Sequence, residues 1–124
     1  MPAAVVTRRT VLAGMAAAPF ARTADAQTAW PNRPVRVIVP YPPAGGADTT
    51  ARIVFAKVGE MFGQQFVIEN RGGAGGTIAE AMAATADPDG YTVLHDATAF
   101  SVNSSLYSNL AFDYKKDFDP VALI

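Results

Sequence analysis

Residues Val35 to Asp48, VRVIVPYPPAGGAD, constrain the fold more than any other stretch of the chain. Val35–Val39 is a run of β-formers in which Arg36 is the only charge, and it reads as a short apolar strand. Pro40 stops it, because proline has no N–H to give to a sheet ladder. A rigid, glycine-bearing loop follows, Tyr41 to Ala47, and Asp48 then opens a helix. In an α/β sheet, ligands bind at the loops that leave the carboxyl ends of the strands. The unpaired N–H groups of the next helix favour an anion there. This one stretch therefore points to a site for a small, negatively charged molecule.

The rest of the chain repeats the pattern. The helix predicted from Asp48 to about Phe62 carries Ala51, Val54, Phe55, Val58, Met61 and Phe62 at three- and four-residue steps, so one face is apolar. Asp48 fits its N-cap. Gly59 weakens its interior, and Gly63 fits the left-handed position that ends many helices. Gln65–Glu69 reads as a second strand, which makes a parallel βαβ unit. The loop Asn70–Gly76, NRGGAGG, holds four glycines in seven residues, so backbone can approach a ligand closely. Thr77-Ile78-Ala79-Glu80 matches a capping box at the start of a helix running to about Ala86. Asp87–Gly90 is a turn, and Tyr91–His95 is a third strand. The polar loop Asp96–Ser101 precedes a short helix near Val102–Tyr107. Pro120–Ile124, PVALI, reads as the start of another strand, and a chain that stops inside a strand reads as truncated.

In a parallel sheet the three loops, Tyr41–Ala47, Asn70–Gly76 and Asp96–Ser101, share one edge. Two of them lead into helix N-termini, whose dipoles favour anions. Neither loop brings a lysine, and no G-x-x-x-x-G-K-[ST] sequence is present, so a phosphate-cradling P-loop is excluded. A carboxylate held by neutral donors fits better than a triphosphate. The chain has 124 residues, half of them apolar, and a formal charge of −1, which argues against a nucleic-acid surface. It has no cysteine and a single histidine, His95, so thiolate and multi-histidine metal sites are excluded. No cofactor is expected. Ser101, Ser104 and Ser105 lack a nucleophile elbow, and no nucleophile–base pair is visible. Asp48 reads first as a helix cap, with contact to a ligand amine or hydroxyl as its sharper role. Arg71 reads as a solvated loop arginine and His95 as a packed histidine. Tyr41 and Phe100 are either pocket walls or plain core.

Residues 1–26 differ from the remainder. Arg8 and Arg9 precede an alanine-rich apolar run, Thr10–Ala21, and Ala24-Asp25-Ala26 gives the small-x-small pattern of a signal-peptidase site. The T-R-R-x-V-L string is similar to a twin-arginine signal. Export places the mature chain, residues 27–124, in the periplasm. Setting aside Arg8, Arg9, Arg22 and Asp25 leaves 7 basic and 10 acidic residues, a formal −3.

Four strings taken together, WPNRPVRVIVPYPPAGGADTTAR, FVIENRGGAGGTIAEAMA, DPDGYTVLHDATAFSVNSSLY and KKDFDPVALI, resemble the Bug-type extracytoplasmic solute receptors, the TctC family of tripartite tricarboxylate transporter binding proteins. They cover almost all of residues 30–124 in the family's order. The resemblance implies an α/β fold, the partial first lobe of a type II periplasmic-binding-protein-like Venus flytrap, with a mostly parallel sheet and flanking helices. It implies capture of a small organic acid for the membrane subunits of a tripartite tricarboxylate-type transporter, without chemistry. It places the ligand against Tyr41, Pro42, Ala44, Gly45, Gly46, Ala47 and Asp48, then Thr98, Ala99 and Asn103, with Gly75, Gly76 and Thr77 nearby. Gly72 stands where the family often has proline, and His95-Asp96 replaces smaller residues. Two other readings remain: a secreted α/β enzyme acting on a small organic acid, and a truncated fragment without function.

Overall fold

A computed structural model describes residues 29–124. The order of elements is β1 (Val35–Val39), α1 (Gly46–Phe62), β2 (Phe66–Asn70), a 3₁₀ turn (Ala74–Gly76), α2 (Thr77–Ala84), β3 (Thr92–Leu94) and α3 (Ala99–Leu106). The three strands form one sheet in the order β2-β1-β3, and both pairings are parallel. Val37 lies between Ile68 on one side and Val93 on the other. β1 is central because it is the most apolar strand, and Val35, Val37, Ile38 and Val39 are fully buried. Each such side chain contributes roughly 1.5–3 kcal/mol by leaving water.

The alternation of β1 sorts the layers. Val37 and Val39 pack with Ala51 and Phe55 of α1 and with Phe66 and Ile68 of β2. Arg36, one residue out of phase, turns to the other face, where it pairs with Glu69 and reaches the sulfur of Met82 on α2. Right-handed crossovers explain this division. The chain moves one way from β1 to β2 and the opposite way from β2 to β3, so α1 and α2 cover opposite faces. The reversal makes a topological switch point between β1 and β3, where an open α/β sheet leaves a crevice at its carboxyl edge.

Several boundaries depart from the sequence reading. α1 starts at Gly46 with Gly45 as N-cap, two residues earlier than expected, so Asp48 sits inside the first turn rather than at the cap. Its carboxylate is drawn backwards to the loop instead (below). α2 has Gly76 as N-cap and Thr77 as its first residue, and the capping box does not form. The Thr77 hydroxyl donates to Ala74 O at 2.9 Å, and Glu80 is buried elsewhere. α2 ends at Ala84 rather than Ala86, and α3 begins at Ala99 rather than Val102. Pro120–Ile124 is not a strand; Val121, Leu123 and Ile124 are exposed and pair with no strand of the described sheet.

Gly59 has a role that propensity alone hides. A Cβ there would stand 2.9 Å from the carbonyl oxygen of Gln64, so the glycine lets the α1–β2 connection fold back tightly. Gly63 ends α1 in the left-handed region, as expected. At the opposite edge of the sheet, Trp30 packs edge-on against Phe62 and beside Tyr91, while the Arg33 guanidinium covers the Tyr91 ring at 4.0 Å.

Candidate functional site

The carboxyl edge of the sheet carries a cleft of about 580 Å³. All three strand-end segments line it: Pro40, Tyr41 and Pro42 after β1; Gly72, Gly73, Gly75 and Gly76 after β2; and, after β3, Ala99, Val102, Asn103 and Leu106 of α3 with its C-cap Tyr107. The convergence follows from the parallel pairing, since it points every carboxyl end the same way.

Of the residues expected at the site, Tyr41, Pro42, Gly75, Gly76, Ala99 and Asn103 line the cleft. Ala44, Gly45, Gly46, Ala47, Asp48, Thr77 and Thr98 do not. Ala47 packs on the core instead, and Thr98 is the N-cap of α3. Of Ala99, Val102, Asn103, Leu106 and Tyr107, the sequence reading gave only Ala99 and Asn103, because it began α3 three residues late. With the start at Ala99, these positions recur at three- and four-residue steps. Arg8, Arg9, Ala24 and Ala26 lie outside the described residues.

Asp48 organises the first loop. It is 2% exposed, yet its carboxylate is fully served. Oδ2 accepts from the Ala44 amide at 2.8 Å and from Arg52 Nε at 2.9 Å, and Oδ1 accepts from Asn70 Nδ2 at 2.9 Å. The Arg52 bond above all, then the Ala44 amide and Asn70, hold the carboxyl well below the usual carboxylate range. Asn70 Nδ2 also donates to Tyr41 O at 3.0 Å, which ties the first loop to the end of β2. Ala44 pays a conformational cost for this arrangement, with φ +65°, and Ala74 in the second loop has φ +47°. Non-glycine residues in the left-handed region cost of order 1–3 kcal/mol and collect where loops are held in a fixed shape.

The second loop is shaped by close approach. Gly75 has φ +64°, and a Cβ on it would come within 2.6 Å of the Tyr107 hydroxyl. Its carbonyl accepts from Asn103 Nδ2 at 3.0 Å, which fixes α3 against the 3₁₀ turn.

The third segment rests on a polar cluster that the sequence reading did not identify. Glu80 is fully buried. It accepts from Asn103 Nδ2, at 3.1 Å on Oε1 and 3.3 Å on Oε2, and from the Tyr114 hydroxyl. Burial raises its pKa, with the neighbouring Asp96 carboxyl adding to the effect. Asp96 Oδ1 accepts from the Tyr41 hydroxyl at 2.8 Å and from the Ala97 amide at 2.7 Å. Burial, followed by the Asp96 bond, pushes the Tyr41 hydroxyl up to about 12. Tyr114 is held in place by edge-on contacts with Phe100 and Phe112. His95 is buried, edge-on to Phe55, with its amide on Ile38 O at 2.9 Å, and takes no part in the cleft.

The lining of the cleft is mostly apolar and contains no lysine or arginine. Arg52 is engaged with Asp48 and Arg71 with Glu69. The donors available to an anion are therefore main-chain amides and neutral side chains. The first helical bond of α1 runs from Thr49 N to Gly45 O, so the amides of Gly46, Ala47 and Asp48 have no helical acceptor, although these residues stand outside the cleft lining. Such a site suits a small molecule with an apolar middle and an anionic end.

Comparison with known proteins agrees with this geometry. A family described as tripartite tricarboxylate transporter family receptor matches residues 50–124. A UPF0065 protein encoded between tcbD and tcbE in Pseudomonas sp. (strain P51) is 41% identical over 120 residues, covering 95% of this chain and 36% of that protein. Among solved structures, MatC from Rhodopseudomonas palustris with bound malate is 40% identical with a TM-score of 0.69, over 76% of this chain and 32% of that one. The periplasmic binding protein BugD is 38% identical with a TM-score of 0.68, over 73% and 30%. The chain thus spans about a third of the length of the relatives it matches. The fold expected from the sequence, an α/β unit with a parallel sheet like that of periplasmic binding proteins, is the one observed.

Proposed function

The chain belongs to the tripartite tricarboxylate transporter receptor family, and from that premise we propose that it supplies one wall of a periplasmic cleft for a small dicarboxylate. One observation carries the reading: segments from all three strand ends meet in a single cleft without a cation. The apolar lining receives the methylene portion, and main-chain amides at the rim receive a carboxylate. A relative bound to malate supports a four-carbon diacid as the starting probe. The protein captures and hands over its ligand; it performs no chemistry. Membrane subunits of a tripartite tricarboxylate-type transporter are the recipients. Residues 1–26, with Arg8 and Arg9 ahead of the apolar run and Ala24-Asp25-Ala26 at the cleavage site, direct export to the periplasm.

Closure of a second wall normally buries most of a small ligand, so one wall by itself binds weakly. Isothermal titration of the 124-residue chain with C4–C6 dicarboxylates and with the matching diamides tests the proposal. Saturable binding of the diacids, absent for the diamides and without turnover, supports it. Equal binding of diacid and diamide, or consumption of the acid, overturns it.

A further inference from the structure

We propose that Glu80 and Asp96 share a single proton beneath the cleft, forming a proton-dependent latch on two of its walls. Glu80 is fully buried, and no described ion pair includes either residue. The groups that donate to Glu80 are neutral: the Asn103 amide and the Tyr114 hydroxyl. Asp96 Oδ1 is served by Tyr41 and the Ala97 amide, but Oδ2 is buried and lacks a donor. An orphan buried carboxylate oxygen is costly unless something donates to it. The neighbouring carboxyl can supply the donor: Asp96 lies near enough to Glu80 to disfavour its charged form, Asp96 Oδ2 is buried without a partner, and like charges that close do not both ionise. A proton held between them completes the set of partners.

The titratable groups facing Glu80 come from three directions: Asp96 after β3, Tyr114 from the C-terminal segment, and Tyr41 through Asp96. None is a cation, so nothing offsets a second negative charge. The latch has a mechanical consequence. Asn103 joins Glu80 to Gly75 O, and Tyr41 hangs on Asp96, so two cleft walls rest on the pair. Loss of the shared proton sets two carboxylates against each other and loosens both walls. This proposal does not depend on which ligand the cleft takes.

The test is a carbon-13 NMR titration of the 124-residue chain labelled at Glu Cδ and Asp Cγ. Glu80 and Asp96 are expected to respond to the same two steps, which belong to the pair and not to either residue. In Glu80→Gln, Asp96 is expected to show a single step. Independent single steps in the wild type, or an Asp96 curve unchanged by Glu80→Gln, would overturn the proposal. If Glu80→Gln does not fold, isotope-edited infrared of the wild type across pH decides the matter. A protonated-carboxyl band that persists above the ordinary carboxylate range supports the latch, and its absence there refutes it.

Discussion

Asp48 and Glu80 are both buried carboxylates in the first turn of a helix that follows a strand-end loop, and the structure gives them opposite surroundings. Asp48 faces only donors: an amide, an arginine and an asparagine. Glu80 faces a tyrosine, an asparagine and another acid. The first carboxylate is stabilised as an anion and holds its loop through charge. The second is disfavoured as an anion and holds its loop through neutral hydrogen bonds. Burial alone therefore says little about a carboxylate; the polarity of its partners decides its state.

The largest effect is expected where the two regions share support. Ile38→Ala in the central strand should cost about 2–5 kcal/mol and loosen both loops together. Urea unfolding measures the loss, and a selective effect on one loop would show that the regions do not rest on a common core.

The isosteric amide exchange should separate them most cleanly. In Asp48→Asn the new NH₂ group meets donors, and the melting temperature should fall by roughly 5–15 °C. In Glu80→Gln the amide can accept from Asn103 and donate to Asp96 Oδ2, so the change at neutral pH should stay within roughly 3 °C. Equal losses in calorimetry would break the contrast.

The pH dependence sharpens it further. Asp48 has a folded pKa below its ordinary 3.8, so its contribution is present above that value and is lost as the pH falls below it. Glu80 has a folded pKa above its ordinary 4.5, so its stabilising contribution is full below that value and declines as the pH rises through the folded pKa. Thermal melts across pH should lose the acid limb in Asp48→Asn and the decline towards neutral pH in Glu80→Gln. Profiles that keep both limbs in both variants would contradict the assignment.

The smallest effect is expected at Ala44. Glycine tolerates its φ of +65° without the Cβ penalty. Ala44→Gly should raise the melting temperature by roughly 1–3 °C if the Asp48 network holds the loop in that shape. A clear fall would mean that the alanine side chain contributes packing.

Much of the fold was legible because its signals are local. Val35–Val39 is apolar enough to be a central strand, and Gly63 marks the end of α1 without help from the rest of the chain. The loop order followed from the parallel pairing. What failed was the chemistry of the helix starts. Asp48 and Thr77-x-x-Glu80 look like capping residues, but tertiary partners claimed both carboxylates: Asn70 from β2 for one, Asn103 and Tyr114 from later segments for the other. Those partners lie 22, 23 and 34 residues away, and no local pattern encodes such pairings. Part of the cleft went unnamed for a related reason. The start of α3 was placed too late, so Val102, Leu106 and Tyr107 lost their common face with Ala99 and Asn103.

The central claim is that three strand ends build one acid-accepting cleft. Its most direct test is the nitrogen-15 amide spectrum of the 124-residue chain during titration with malate. Amides of Tyr41, Gly72–Gly76 and Ala99–Asn103 are expected to shift together along one saturation curve. Shifts confined to one of these segments, or clustered at the Trp30–Tyr91 edge of the sheet, would contradict it.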